Sequence, residues 1–296
     1  MFIDGHLHTV RRKGLPMNAA GACFATPEEL LRIMDRTGVD KGVLLPIVGP
    51  EGGYQVSPTE DILDICASHP GRFLPFCNID PRGGANSPDA DLSFQLNYYK
   101  GCGCLGVGEV TANLEFRDPL VQNLFRHCER CALPVLLHIA PRRYGGYGLV
   151  DELGLPGLEA ALAAFPGLAF IGHSQPFWAE ISADVTPANR NAYPAGPVVA
   201  GGTVPRLMAT YPNLYCGWDA GSGYNALTRD PAFGWAFMER FSRRILFGTD
   251  ICTPTDNHRH AEYLRRSHAD GHLSAEAFES ISWRTANRLL GLGLDA

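Results

Sequence analysis

Eight short apolar segments, separated by longer helical patterns, constrain the fold of this chain more than any other feature. They are rich in Val, Ile, Leu and Phe, a composition typical of buried strands. The expected strands are residues 1–4, 41–45, 73–78, 104–110, 134–139, 168–172, 214–218 and 245–248. Because helical patterns lie between them, the sequence predicts an α/β protein.

The expected helices carry recognisable end signals. Residues 27–37 follow Thr26, a favourable N-cap, and begin with proline and with acidic residues in the first turn. Residues 118–130 and 156–165 show helical spacing of apolar side chains. Residues 274–290 are expected to form a closing helix at the C-terminus.

Loop lengths favour a closed barrel over an open sheet. Helix-to-strand connections are short, whereas strand-to-helix connections are long: residues 9–25, 47–57, 140–155 and 174–199. In a (β/α)8 TIM barrel the strand-to-helix loops crowd the C-terminal face, where active sites are built. The glycine fingerprints of nucleotide-binding open sheets are missing. We therefore predict one TIM-barrel domain over residues 1–296. Within it, we expect residues 174–199 to form a lid or a wall of the substrate pocket. The alternative is an ordinary surface loop.

Side chains that can bind a metal ion stand at the ends of five expected strands. They are His6 and His8 at the first strand, Glu109 at the fourth, His138 at the fifth, His173 at the sixth and Asp250 at the eighth. Because strand side chains alternate between faces, His6 and His8 point the same way and can share one ion. Compatible ligands at one end of a barrel predict a metal site there.

The donor types indicate which ion is bound and what it does. Imidazole nitrogens and carboxylate oxygens, without sulfur, suit a divalent ion, with zinc the first expectation and manganese, iron and nickel as alternatives. A bound ion would lower the pKa of its water towards neutrality. Asp250 is the expected catalytic residue, because it could bind the ion, orient that water and take its proton.

A second His-x-His, formed by His258 and His260, follows the eighth strand. On a helix, residues two apart point in nearly opposite directions and cannot easily share an ion. We expect surface or pocket residues here rather than ligands.

Charge and cysteine content exclude several classes of protein. The formal net charge is -6 and Lys and Arg form no long runs, which argues against nucleic acid or an anionic membrane as the partner. The nine cysteines lie mostly in apolar contexts and are expected to pack as free thiols in a reducing compartment. No secretory signal and no membrane-spanning apolar stretch is visible, so a cytoplasmic location is expected.

The chain resembles the amidohydrolase superfamily, in particular its broad amidohydrolase-related branch, over its whole length. The matching motifs are Asp4-Gly5-His6-Leu7-His8, the later His138, His173 and Asp250, and the closing Trp283-Arg284-Thr285-Ala286-Asn287-Arg288-Leu289-Leu290. The resemblance implies that the His-x-His pair and Asp250 hold the more buried ion and that His138 and His173 hold a second. Glu109 stands where that superfamily has a bridging carboxylate or modified lysine. A single ion with four protein ligands, and a Glu109 that does not bind metal, stay open.

The resemblance implies a metal-dependent hydrolase that directs a metal-activated water at an amide, ester or lactone bond of a small molecule. The alternative is a mononuclear-metal decarboxylase or hydro-lyase acting on an organic acid, since the same branch contains such enzymes. Those enzymes usually continue after the sixth-strand histidine with a glycine-rich run, whereas this chain has Ser174-Gln175-Pro176-Phe177. A non-catalytic binding barrel is disfavoured because no ligand is missing. The net charge of -6 disfavours a nuclease.

The strand-to-helix loops supply candidate substrate contacts: Arg142, Arg143, Tyr144, Tyr147, Trp178, Arg190 and Trp218. Arg142 or Arg143 could hold a carboxylate or phosphate through two hydrogen bonds, or be a solvated surface residue. The expected partner is a small-molecule substrate, and a homo-oligomer is left open.

Overall fold

Eight parallel strands form a ring at the centre of the protein. A computed structural model describes residues 1–51, 55–256 and 259–295. In these residues the strands are Ile3–Leu7 (β1), Lys41–Leu44 (β2), Phe73–Pro75 (β3), Val107–Val110 (β4), Val135–Ala140 (β5), Leu149–Val150 (β6), Phe170–His173 (β7), Leu214–Trp218 (β8) and Ile245–Phe247 (β9). All eight expected strands are present, and β6 is an additional short strand that pairs with β5 inside a long loop.

Two arcs of hydrogen-bonded strands make up the ring. β1, β2 and β3 form one arc, and β4, β5, β7, β8 and β9 form the other. Parallel bridges join the arcs at both seams, between Cys77 and Val107 and between Leu7 and Ile251. At the second seam the His8 N–H donates to the Ile251 carbonyl at 2.9 Å. The predicted (β/α)8 TIM barrel is therefore confirmed.

The helices alternate with the strands and follow the expected segments closely. In the described part of the chain they are Pro27–Thr37 (α1), Thr59–Ser68 (α2), Gly83–Asn86 (α3), Ser93–Gly101 (α4), Pro119–Cys131 (α5), Pro156–Ala164 (α6), Gln175–Ala179 (α7), Thr203–Thr210 (α8), Ala220–Thr228 (α9), Pro231–Phe241 (α10), His260–Ala269 (α11), Ala275–Glu279 (α12) and Thr285–Leu290 (α13). α1 has the expected bounds, because Thr26 and Glu29 form a capping box at its start. α5 begins one residue later than expected, because Asp118 caps it from outside. No helix within the described ranges has the length and apolar character that crossing a membrane requires.

A small apolar core fills one end of the barrel interior. It consists of Ile3, Val43, Leu45, Phe76, Leu136, Ile171 and Leu246, joined by Trp283, Ala286 and Leu290 from the C-terminal segment. Several of the strand residues lie near the amino-terminal ends of their strands, so the C-terminal segment closes that end. The expected closing helix is present as three pieces, α12, a π-helical turn Ser280–Arg284 and α13. The other end of the interior is left for polar side chains.

The loop expected to be a lid, a pocket wall or a surface excursion is anchored on the barrel at two places. It begins with α7, whose Phe177 and Trp178 are buried. Farther along, the Arg190 guanidinium pairs with the Glu180 carboxylate at 2.8 Å, and both side chains are buried. Most of the remaining residues between 183 and 199 are exposed.

The cysteines are free thiols, as expected. Cys77, Cys104, Cys128, Cys131 and Cys216 are buried. Burial raises the pKa of the Cys128 and Cys216 thiols, which keeps them protonated. Their role is packing.

Phe76→Ala should destabilise the protein by about 3–5 kcal/mol, because it empties the centre of the interior core. Phe76 is 1% exposed, and its ring occupies the space beside Gly106, where a β-carbon would lie 2.4 Å from it. The matched control is Phe94→Ala on α4, whose ring is 78% exposed. There the change should cost less than about 0.5 kcal/mol. Urea unfolding followed by circular dichroism measures both variants, and equal losses would contradict the packing described.

Candidate metal centre

A bulge in β1 turns both of its histidines into the barrel. Between Asp4 and Leu7, β1 has one more residue than the facing stretch of β2. Strict alternation from Ile3, which packs in the interior, would place Leu7 inside, but Leu7 packs between the strands and helices. His6 and His8 point inward instead, and their Nε2 atoms lie 3.0 Å apart. The two rings face one point as predicted, although the bulge rather than plain alternation achieves it.

Three further strands direct side chains to the same place. In β4, a second irregularity between Val107 and Val110 turns Glu109 inward. His138 on β5 comes two residues after Leu136, and His173 on β7 comes two residues after Ile171. Leu136 and Ile171 both belong to the interior core, so the histidines point into the barrel as well.

Glu109 lies between two pairs of histidines. Its Oε2 atom is 3.3 Å from His8 Nε2 and 3.8 Å from His6 Nε2. Its Oε1 atom is 2.7 Å from His138 Nδ1 and 3.6 Å from His173 Nε2. Each carboxylate oxygen therefore faces a different pair of imidazoles.

Asp250 follows β9 and completes the group. Its Oδ1 atom is 3.3 Å from His6 Nε2 and 3.7 Å from His8 Nε2, and its Oδ2 atom is 3.6 Å from His173 Nε2. The Asp250 side chain is 18% exposed, whereas those of the other five predicted ligands are buried. The fold thus brings all six predicted ligands together at the carboxyl ends of the strands.

Sequence reasoning missed Asp219, which directly follows β8. The residue is 1% exposed. Its Oδ2 atom accepts a hydrogen bond from His6 Nδ1 at 2.9 Å, and its Oδ1 atom accepts one from His173 Nδ1. The signal was present in the sequence, because an acidic side chain directly after an expected strand is the feature that identified Asp250.

The hydrogen bonds of the rings leave lone pairs directed at the centre. Asp219 accepts from Nδ1 of both His6 and His173, and the Leu45 carbonyl lies 3.2 Å from Nδ1 of His8. With a proton held at each Nδ1, the Nε2 atoms turn lone pairs toward one another and toward carboxylates. Two lone pairs 3.0 Å apart, as in His6 and His8, repel unless a proton or a metal ion lies between them. The residues present therefore fit a bound cation.

The spacing of the donor atoms fits a metal ion as well. Ligands about 2.0–2.2 Å from a tetrahedral ion lie about 3.3–3.6 Å apart. The separations between Nε2 atoms and carboxylate oxygens here run from 3.3 to 3.8 Å. Nitrogen and oxygen donors of this kind suit zinc, manganese, iron or nickel.

Burial and the carboxylates act on the pKa values in opposite directions. Burial lowers the pKa of His6, but the carboxylates of Asp250, Asp219 and Glu109 outweigh it and raise that pKa to about 10. Burial also lowers the pKa of His173, and Asp219 outweighs it. Burial raises the pKa of Glu109 and of Asp219, but the facing histidines hold both below their usual values. At neutral pH and with no ion bound, the His6 ring is therefore an imidazolium, with protons on both nitrogens.

A cavity of about 240 Å³ opens onto this cluster. It is lined by His8, Glu109, His138 and Asp250, by the apolar Met17, Phe24, Pro46 and Ile47, and by Glu51, Thr111, Tyr147 and Cys252. No Lys or Arg occurs among these described lining residues. The cavity therefore joins the ligand cluster on one side to an apolar wall on the other, as small-molecule sites commonly do.

Cys252 brings a sulfur atom beside the predicted nitrogen and oxygen donors. Its Sγ atom lies 3.6 Å from Asp250 Oδ1, and with His8 and Asp250 it forms a donor group that could hold an ion. Burial, followed by nearby carboxylates, keeps the pKa of the thiol well above its usual value.

A second cavity of about 250 Å³ shares His138 and Tyr147 with the first. The Tyr147 ring packs 4.3 Å from the His138 ring and separates the two spaces. Arg142 and Tyr144 line this second cavity. The Arg143 guanidinium lies over the Tyr144 ring at 5.5 Å, outside the lining of both cavities.

Three predicted substrate contacts are core residues instead. Trp178 and Trp218 are 1% and 0% exposed. Their indole N–H groups donate to the carbonyls of Gly217 and Gly223. Arg190 is held in the buried ion pair described above. Trp218 was mispredicted because it is the last residue of β8 and its ring packs in the core. Trp178 and Arg190 were mispredicted because the loop that carries them is anchored on the barrel at those two residues.

His260 is also buried, rather than on the surface or in a pocket. Its Nε2 atom lies 3.1 Å from the Ala220 carbonyl, and its ring contacts Trp218 and Tyr224. The prediction was wrong because α11 turns this first residue toward the core. His258 lies outside the described residues.

The model of the amidohydrolase family matches residues 3–292 of the chain. The protein therefore belongs to the amidohydrolase family. It is an enzyme of the amidohydrolase superfamily, whose members depend on metal ions. No curated protein matches the sequence.

Several solved structures share the fold over nearly the whole chain. An uncharacterised TIM-barrel protein from Bordetella bronchiseptica has a TM-score of 0.64 at 17% identity, with 98% of each chain covered. A candidate 2-pyrone-4,6-dicarboxylic acid hydrolase from Pseudomonas putida has a TM-score of 0.63 at 15% identity, covering 99% of this chain and 98% of that one. A dihydroxybenzoic acid decarboxylase from Polaromonas sp. JS666, with bound manganese and the inhibitor 2-nitroresorcinol, has a TM-score of 0.61 at 14% identity, covering 99% and 98%. Identities this low establish the shared fold alone.

Metal uptake should release a proton, because His6, with its pKa at about 10, is protonated at neutral pH and the ion must displace that proton. Affinity for zinc should therefore rise with pH up to about 10 and fall as the pH is lowered. Calorimetric titration in buffers of different ionisation enthalpy counts the protons. His6→Gln should lose both the proton release and most of the affinity, whereas His272→Gln, at an exposed residue outside the ligand cluster, should change neither. Uptake without proton release at neutral pH would contradict the charge balance described.

Proposed function

We propose that this protein is a metal-dependent hydrolase that cleaves an amide, ester or lactone bond of a small molecule at a site for two ions. The observation that supports this most directly is Glu109, whose two carboxylate oxygens face different pairs of histidines. A carboxylate placed in this way can bind one ion through each oxygen. Two divalent ions would also offset the charges of Glu109, Asp219 and Asp250, which lie together in one place.

The chain offers a ligand set for each ion. His6, His8 and Asp250 would hold one ion, and His138 and His173 would hold the other, with Glu109 shared between them. Zinc is the first choice, and manganese, iron and nickel are alternatives. When bound, the ions lower the pKa of a water molecule and polarise a substrate carbonyl.

Asp250 is the residue placed to move the proton. Its carboxylate contacts the ligand cluster and also lines the first cavity, and it is the most exposed of the six side chains. It can therefore accept a proton from an attacking water and deliver it to the leaving group. Glu109 and His138 also line the cavity, but their 2.7 Å contact engages them with each other.

The two cavities indicate the shape of the substrate. The first combines the apolar Met17, Phe24 and Ile47 with a described lining that contains no Lys or Arg. Arg142 lines the second cavity, and no described carboxylate pairs with it. We infer a substrate whose scissile carbonyl and apolar part occupy the first cavity. A polar or anionic end would then reach Arg142 and Tyr144.

Asp250→Asn should lower kcat by at least about 100-fold while leaving the melting temperature close to that of the wild type, because it removes a proton acceptor without removing bulk. The control is Asp270→Asn on the exposed face beyond α11, which should keep full activity. Both variants are assayed with zinc-loaded protein on a panel of small amides, esters and lactones. Undiminished turnover in Asp250→Asn would overturn the role given to Asp250.

A mononuclear decarboxylase or hydro-lyase acting on an organic acid is the second candidate. The observation that favours it is that His6, His173 and Asp250 by themselves form a three-residue donor group able to hold a single ion. The likeness of fold to a manganese-containing decarboxylase is compatible with this. We rank this candidate second because Glu109, set between two pairs of histidines, gives the site more donors than a single ion needs.

Glu109→Gln separates the two candidates. In a two-ion hydrolase it should reduce bound metal from about two ions per chain to about one and abolish hydrolysis, because an amide cannot bridge two cations as a carboxylate does. A one-ion lyase should keep its ion and its release of CO2 or water. The control is Glu115→Gln, at an exposed residue of the largely buried loop after β4. Elemental analysis of the dialysed protein gives the stoichiometry, and an unchanged ion count in active Glu109→Gln would rule out the two-ion hydrolase.

A further inference from the structure

Asp219 occupies a space that two glycines leave for it. A β-carbon at Gly217 would lie 2.6 Å from its Oδ2 atom, and one at Gly248 would lie 3.0 Å from its Cβ atom. The carboxylate is 1% exposed, and its ion pairs in the described structure are with two histidines alone. A buried charge needs such partners, so the position is built for a carboxylate that contacts imidazoles.

We propose that Asp219 is a positioning residue that fixes the tautomer and orientation of His6 and His173 together. It accepts a hydrogen bond from Nδ1 of each ring, one through each oxygen. Both rings therefore direct the Nε2 lone pair at the ion positions, His6 at one and His173 at the other. This inference rests on the proposed metal site but not on the reaction performed there.

The chemistry of the side chain explains why one carboxylate is needed for two rings. A carboxylate offers two acceptor oxygens, whereas an amide offers one acceptor and one donor. In Asp219→Asn, one of the two imidazoles would therefore face an NH2 group. That ring must then accept at Nδ1 and carry its proton at Nε2, where it can no longer bind an ion.

The other two histidines of the site provide an internal comparison. Nδ1 of His8 faces the Leu45 carbonyl, and Nδ1 of His138 faces Glu109. Neither depends on Asp219. Loss of Asp219 should therefore weaken metal binding by disorienting two named rings rather than by collapsing the site.

Asp219→Asn tests the proposal, with Asp151→Asn as the matched control. Asp151 is also a buried carboxylate, but its oxygens accept from the backbone N–H groups of Gly157 and Leu158, and it belongs to none of the candidate donor groups. Zinc affinity is measured by competition with a chelator and the ion count by elemental analysis. We expect at least one ion to bind about 10–100-fold more weakly in Asp219→Asn, and wild-type binding in the control. Wild-type affinity and ion count in Asp219→Asn would overturn the proposal.

A second measurement decides the matter if the variant fails to fold. Long-range proton–nitrogen NMR spectra of zinc-loaded wild-type protein, labelled with ¹⁵N-histidine, report which ring nitrogen carries the proton. We expect protonated Nδ1 and metal-bound Nε2 in His6 and His173. A proton on Nε2 of either ring would overturn the proposal. Failure of the proposed hydrolysis is recognised separately, because it would leave zinc binding and these spectra unchanged.

Discussion

Three carboxylates, the buried Glu109 and Asp219 and the partly exposed Asp250, face a group of imidazoles, and the arrangement of the site depends on balancing that charge. Buried carboxylates are costly unless cations or hydrogen-bond donors offset them. The raised pKa of His6 shows one solution, in which a proton is retained. Divalent ions are the other solution. Proton and metal ion therefore compete for one position, and the electrostatics of the site follow from that competition.

The barrel supports this arrangement by dividing its interior. One end is filled with apolar side chains and closed by the C-terminal segment, while the other receives polar side chains from six strand ends. Bulges in β1 and β4 turn His6, His8 and Glu109 inward where plain alternation would not. The local irregularities of the strands thus coincide with the residues that carry the chemistry.

Much of the fold and of the candidate metal site was predictable from the sequence, and the residues that were mispredicted or missed have physical explanations. The eight strands, α1 and the six converging side chains follow from apolar periodicity and from the placement of polar residues at strand ends. Asp219 carried the same signal and was missed. Trp178 and Arg190 were misplaced because sequence position on a loop does not reveal which side chains pack against the core, and Trp218 because the end of β8 turns its ring into the core. Cys252 was missed as well, although it stands only two residues after Asp250 and so lies near that carboxylate through local chain geometry.

The buried pair between Glu180 and Arg190 joins two distant points of one long loop. Replacing either residue alone would leave the other as an unpaired buried charge, at a cost of about 3–5 kcal/mol. The two positions therefore constrain each other: a change that is harmful at one of them becomes tolerable only together with a matching change at the other.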